Sequence, residues 1–239
     1  MIAAATIAAV IITGYCVWVR RDAWNCRWEL GSSITAASMF ACVLLMNPAL
    51  SLTLSAPLHA LTGLWNIEDL LGHLAYLAGL VTLAQTLAKR TNLDDPERFL
   101  RRRLEAPIAI ALPLLIGLFI VATPGKHWPD LFRAPVTGWM TLYWLALCTS
   151  ASYLLIPLLR LLWVVRRDPR STVTANIYIA AITIDLGCLS SVVASRVIAG
   201  YPAAVTWTLL CVAACGYAIA PAYSWRIKTR TTPWRAPLT

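Results

Sequence analysis

The sequence predicts an all-α fold: a polytopic transmembrane helix bundle of seven spans, N-terminus outside and C-terminus cytoplasmic, forming a single domain over 1–239. Three observations carry this. The chain of 239 residues has a mean hydropathy of +0.67 and is 59% hydrophobic. Only 13% of it is charged, against roughly a quarter in soluble domains. Its apolar residues come in runs of about 20, not in alternating segments of about ten, which selects helices over a barrel because lipid offers backbone groups no other partners.

The spans fall at about 2–19, 31–52, 66–88, 106–123, 138–163, 173–199 and 202–224, each long enough to cross roughly 30 Å of hydrocarbon at 1.5 Å per residue. The first has no basic residue ahead of it and no small-residue cleavage site after it, so it reads as a span and not as a signal peptide. The second follows Arg20, Arg21 and Arg27, and Lys89 and Arg90 close the third. The longest loop, "TNLDDPERFLRRRLEAP", offers Asp95 as a cap, Pro96 at a first helical position and a short basic helix over Arg98 to Leu104. That helix reads as lying on the inner leaflet, with protein docking as the alternative. Pro48, Pro113, Pro157 and Pro221 fall inside the second, fourth, fifth and seventh spans, where each removes a backbone hydrogen bond and invites a kink.

Of the 20 basic residues only Lys126, Arg133 and Arg196 fall on the side opposite the others, and this asymmetry sets the orientation. Trp18, Trp24, Trp28, Trp163 and Trp225 mark the inner boundary, and Trp65, Trp128 and Trp139 the outer one. The net charge of +9 therefore points to anionic lipid at the inner face and not to nucleic acid. A second copy of the chain or another membrane protein is the other expected partner. An echo between "WVRRD" at 18–22 and "WVVRRD" at 163–168 fits parallel three-helix repeats, but an inner boundary alone also accounts for it. Seven cysteines, at 16, 26, 42, 148, 188, 211 and 215, form no C-x-x-C pair, so no disulfide framework and no metal site is expected.

The candidate site residues are polar groups within the apolar runs. In "NIEDLLGHLAY", Asn66, Asp69 and His73 project within about 60° of one another, Tyr76 continues the stripe, and Glu68 points elsewhere. Two readings stand for the acidic residues: an Asp69–His73 pair at i, i+4, or helix-start chemistry with Asn66 as cap. Neither start chemistry nor capping explains His73, two turns into the span. In the sixth span Asp185 falls near mid-membrane and Arg196 near the outer end, about 16 Å apart along the axis. The expectation is an outer cluster of Asp69, His73 and Arg196 above a lone Asp185 lined by Cys188, Ser191 and Ser195. A carboxylate at that depth costs at least about 2.5 kcal/mol on insertion scales and is functional by default; a protonated structural hydrogen bond is the alternative.

No P-loop, H-E-x-x-H or G-x-S-x-G is present, so no enzyme and no cofactor is expected. The segment "LTGLWNIEDLLGHLAYLAGLVTLAQTLAKR", through Leu61, Thr62, Gly63, Asn66, Leu70, Leu71, His73 and Gln85, resembles a recurring segment of uncharacterised multispanning membrane proteins of actinobacteria and their phages, often labelled putative transporters. The outer "HWPDLFRAP" stretch and the Arg-rich inner loops share the layout. Glu68 and Asp69 depart from that more apolar pattern. The resemblance implies a bacterial plasma-membrane protein. The expected function is transporter-like, with a proton or small-solute pathway at Asp185. The alternatives are a seven-helix sensor or interaction protein, or a phage exclusion factor at the host membrane.

Overall fold

A computed structural model describes residues 2–91, 101–123 and 125–231. These are mostly helical, with no strand among the described residues. The helices are α1 (Ile2–Val19), α2 (Leu30–Leu45), α3 (Pro48–Thr62), α4 (Ile67–Arg90), α5 (Ala106–Ala122), α6 (Gly138–Val165), α7 (Thr172–Val197) and α8 (Ala203–Thr231).

Five of them, α1, α4, α6, α7 and α8, are long and apolar enough to cross a membrane. The sequence predicted seven continuous spans, and the difference lies at two places. The expected second span breaks at Asn47: α2 ends at Leu45, and α3 sets off at 83° to it. Local chemistry accounts for the break, since the Asn47 side chain accepts from the Ala49 amide at 2.9 Å and Pro48 takes the first helical position. Pro48 therefore starts a helix and does not kink one. The expected fourth span, α5, has 17 residues, about 26 Å at 1.5 Å per residue. Asp95 and Pro96 lie outside the described residues, and Arg101–Glu105 forms one π-helical turn leading into α5.

Helices α1 and α5 turn broad faces of large apolar side chains outward. On α1 the buried residues are Thr6, Ala9, Thr13 and Cys16, whereas Ile7, Ile11 and Trp18 are exposed. On α5 only Leu115 and Phe119 are buried. Such wide apolar faces suit lipid, where burial carries no hydrophobic reward and close backbone approach decides which side packs. Two contacts depend on that approach. A Cβ on Gly216 of α8 would sit 2.7 Å from the Ala181 Cβ of α7, and one on Gly72 of α4 would sit 2.6 Å from Met46 Cγ.

One end of the bundle is basic. There Arg20, Glu29, Arg90 and Lys228, from the ends of α1, α2, α4 and α8, meet through hydrogen bonds. At the far end α3, the start of α4 and the segment 125–137 close over the helices. Asn66 fastens them: its amide donates to the Lys126 carbonyl at 2.9 Å and its carbonyl accepts from the Trp128 amide at 2.7 Å. It holds a left-handed backbone, φ 59°, without a side-chain cap bond, a conformation Asn tolerates better than most residues. The expected capping role of Asn66 is thus replaced by a clamp on the far-end loop.

Candidate functional site: a buried carboxylate at a central cavity

Helices α2, α4, α6, α7 and α8 surround a narrow cavity of about 40 Å³, lined among others by Met39, His73, Tyr76, Trp144, Asp185 and Tyr217. At roughly 10–15 Å³ each, two or three waters fit it. A metabolite-sized ligand, which needs a few hundred Å³, does not.

Asp185 sits on the wall of this cavity, 5% exposed. The expectation of a lone carboxylate is overturned, because its Oδ2 accepts from Tyr76 of α4 at 2.8 Å and from Tyr217 of α8 at 2.9 Å. Three helices therefore converge on one oxygen. The tyrosines take the place that α7's own polar residues were expected to fill: Ser191 bonds Thr206 at 2.7 Å, and Ser195 turns back to the Val192 carbonyl. Cys188 lines the cavity but points its thiol at the Thr206 carbonyl.

The expected outer cluster does not form as drawn. His73 Nδ1 lies 2.6 Å from the Tyr143 hydroxyl and its Nε2 has no hydrogen-bond partner among the described residues, so it is not paired with Asp69. Asp69 is buried, and its Oδ2 is likewise unpartnered. Arg196 reaches the Phe132 carbonyl at 2.8 Å and the Ala134 carbonyl at 3.4 Å and lies 5.9 Å from the Trp144 ring centre. A guanidinium offers five donors in a fork, and the carbonyls of the far-end turn, Leu131–Arg133, claim them before any carboxylate can. The clamp expected between Asp69 and Arg196 is absent, whereas His73 and Asp185 do share one cavity.

Above the cavity Phe132 acts as a plug. It stacks on Trp144 at 5.1 Å and meets Trp207 edge-on at 5.2 Å. Asp130 holds the turn in place, accepting from the Trp207 indole, the Phe132 amide and Arg133. Burial pushes its carboxyl above the usual range, and those three partners pull it back only in part. At the basic end Arg20, fully buried, bonds Ser33, the Pro221 carbonyl and Glu29. Burial alone would raise the Glu29 carboxyl, but Lys228, Arg20 and Arg90 outweigh it and hold it below its ordinary value.

A third polar group lies beside α3. Glu68, wholly buried, accepts from Ser51 Oγ at 2.6 Å and from Ser55, and Ser51 Oγ is 3.0 Å from His127 Nε2. Sequence reasoning missed the partners of Glu68, as it missed Tyr143, Tyr217, Glu29 and Arg20. The short separation of Ser51 and Ser55, one helical turn, was the only available signal for their shared face. Among the described residues no three His, Cys, Asp or Glu side chains come together in a way that could hold a metal ion.

No family model matches this chain, and no curated protein or solved structure matches it either.

Proposed function

We propose that this chain is a seven-crossing protein of the bacterial cytoplasmic membrane that conducts protons, or a solute of comparable size, past Asp185. The observation that carries the reading is the carboxylate held by Tyr76 and Tyr217 at a water-sized cavity among five helices. A carboxylate buried at this depth costs several kcal/mol unless it serves a purpose, and the cavity's size favours protons over a larger cargo.

The crossings are α1, α2, α4, α5, α6, α7 and α8, with α3 folded over the outer end and not itself a span. The positive-inside rule then puts the basic end in the cytoplasm, where Arg166, Arg167 and Arg226 face anionic lipid. The Phe132 plug is the outer closure, and the charge cluster about Glu29 the inner one. Alternating access at such a site needs the two closures to open in turn. No catalytic chemistry is part of this reading.

The test is proton flux into proteoliposomes carrying an internal pH dye, under an imposed gradient. The wild-type chain is expected to exceed protein-free vesicles, and Asp185→Asn to fall about tenfold or more. Equal flux in the two proteins would end the transport reading and leave the sensor reading, in which the same core couples an outer signal to the inner loops.

A further inference from the structure

We infer that the outer end contains a proton relay, running from His127 through Ser51 to the buried Glu68, then by Asp69 and the His73–Tyr143 pair to the cavity of Asp185. This rests on the proton-conducting reading above and gives that pathway its outer half.

The first link is a hydrogen-bond chain. His127 is half-buried in the outer loop, beside exposed Lys126, and its Nε2 lies 3.0 Å from Ser51 Oγ. Ser51 Oγ lies in turn 2.6 Å from Glu68 Oε1. A hydroxyl has one proton to give. With Ser51 donating to the carboxylate, its lone pairs face the His127 N–H, so the chain is polarised inward. Ser55 donates to the same Glu68 oxygen and leaves the other, Oε2, for onward transfer.

The second link is a row of buried polar atoms. Glu68 Oε2, Asp69 Oδ2 and His73 Nε2 are each buried without a hydrogen-bond partner among the described residues. They occupy the first two turns of α4 and descend about 7.5 Å along its axis, from the α3 contact to the cavity wall. His73 Nδ1 is held by Tyr143 at 2.6 Å. His73 then shares with Tyr76 and Asp185 a space that admits two or three waters.

Magnitudes separate this from helix-start stabilisation. The positive end of a helix contributes up to about 2 kcal/mol to a nearby carboxylate, while removing each charge from water costs several kcal/mol. No ion pair to Glu68 or Asp69 forms among the described residues. The titratable groups near them are His127, through Ser51, and Asp130 from the outer loop, and Tyr143 from α6. Asp130 adds further negative charge at Asp69.

The step balances. A proton leaves His127 Nε2 for Ser51 Oγ while the original Ser51 proton moves to Glu68 Oε1, so Ser51 ends unchanged. Glu68, now a carboxylic acid, passes a proton to Asp69 and returns to carboxylate, and Asp69 in turn passes it to His73 at the cavity wall. His127 is recharged from the outer solution.

The experiment uses the full chain in the same proteoliposomes, sorted for outside-out orientation, with the outer pH varied. Glu68→Gln is expected to cut Asp185-dependent flux about tenfold or more, and Glu68→Asp to restore part of it. His127→Ala, at a half-buried loop position, is expected to cut the same flux about tenfold or more and to flatten its dependence on outer pH. Flux and pH profile unchanged in both Glu68→Gln and His127→Ala, with Asp185→Asn still inactive, would overturn the relay and leave the Asp185 pathway standing. Should Glu68→Gln fail to fold, an unchanged profile in His127→Ala alone overturns it. Absence of any Asp185-dependent flux in the wild type would overturn both.

Discussion

Tyr76 and Tyr217 donate to a single oxygen of Asp185, so each alone leaves the carboxylate with one donor and their joint loss leaves none. Tyr76→Phe and Tyr217→Phe are each expected to cost about 1 kcal/mol, and the double variant more than the sum of the two, as read from unfolding in detergent micelles. Asp185 was legible in the sequence because a carboxylate in an apolar run stands out, and Tyr76 because it continues the stripe of Asp69 and His73. Tyr217 was not, since a tyrosine in an apolar run looks like packing until its hydroxyl is seen to have a target. Arg196 shows the limit of reading depth: it was placed level with Asp69, but depth does not say which way a helix is turned, and the carbonyls of Phe132 and Ala134 lay nearer.

At the scale of elements, run length and flanking basic or aromatic residues located most helices to within a few residues; α6 was expected at 138–163 and spans Gly138–Val165. The exception is instructive. Across "MNPALSLTL" the hydropathy hardly falters, so a break governed by one side-chain cap and one proline is invisible to a hydropathy window, although the Asn-Pro pair is a helix-start signature. Asn47→Ala is expected to cost about 0.5–2 kcal/mol and to loosen α3 over Glu68, which hydrogen exchange of the α3 amides would report. The α7–α8 contact gives a second element-level test. Gly216→Ala must push apart two backbones separated only by the Ala181 methyl, a change expected to cost about 1–3 kcal/mol in the same micelle assay.

For the molecule as a whole, Glu29 ties the ends of α1, α4 and α8 together at the basic face. Its folded pKa lies below the unfolded value of about 4.3. Its contribution is therefore complete above that pH and is lost as pH falls through the lower folded value. The melting temperature of the wild type is expected to drop in acid below about pH 4, and Glu29→Gln to be less stable at neutral pH by about 3 kcal/mol or more, since Arg20 stays buried without its counter-charge, with a shallower acid drop. The same knot has a consequence for how the chain is made. Arg20 takes one of its acceptors, the Pro221 carbonyl, from 201 residues further along, so its set of hydrogen bonds is complete only once α8 has been made. Without α8 the guanidinium keeps Glu29 and Ser33 but lacks one acceptor, so α8 completes a site that α1 and α2 begin.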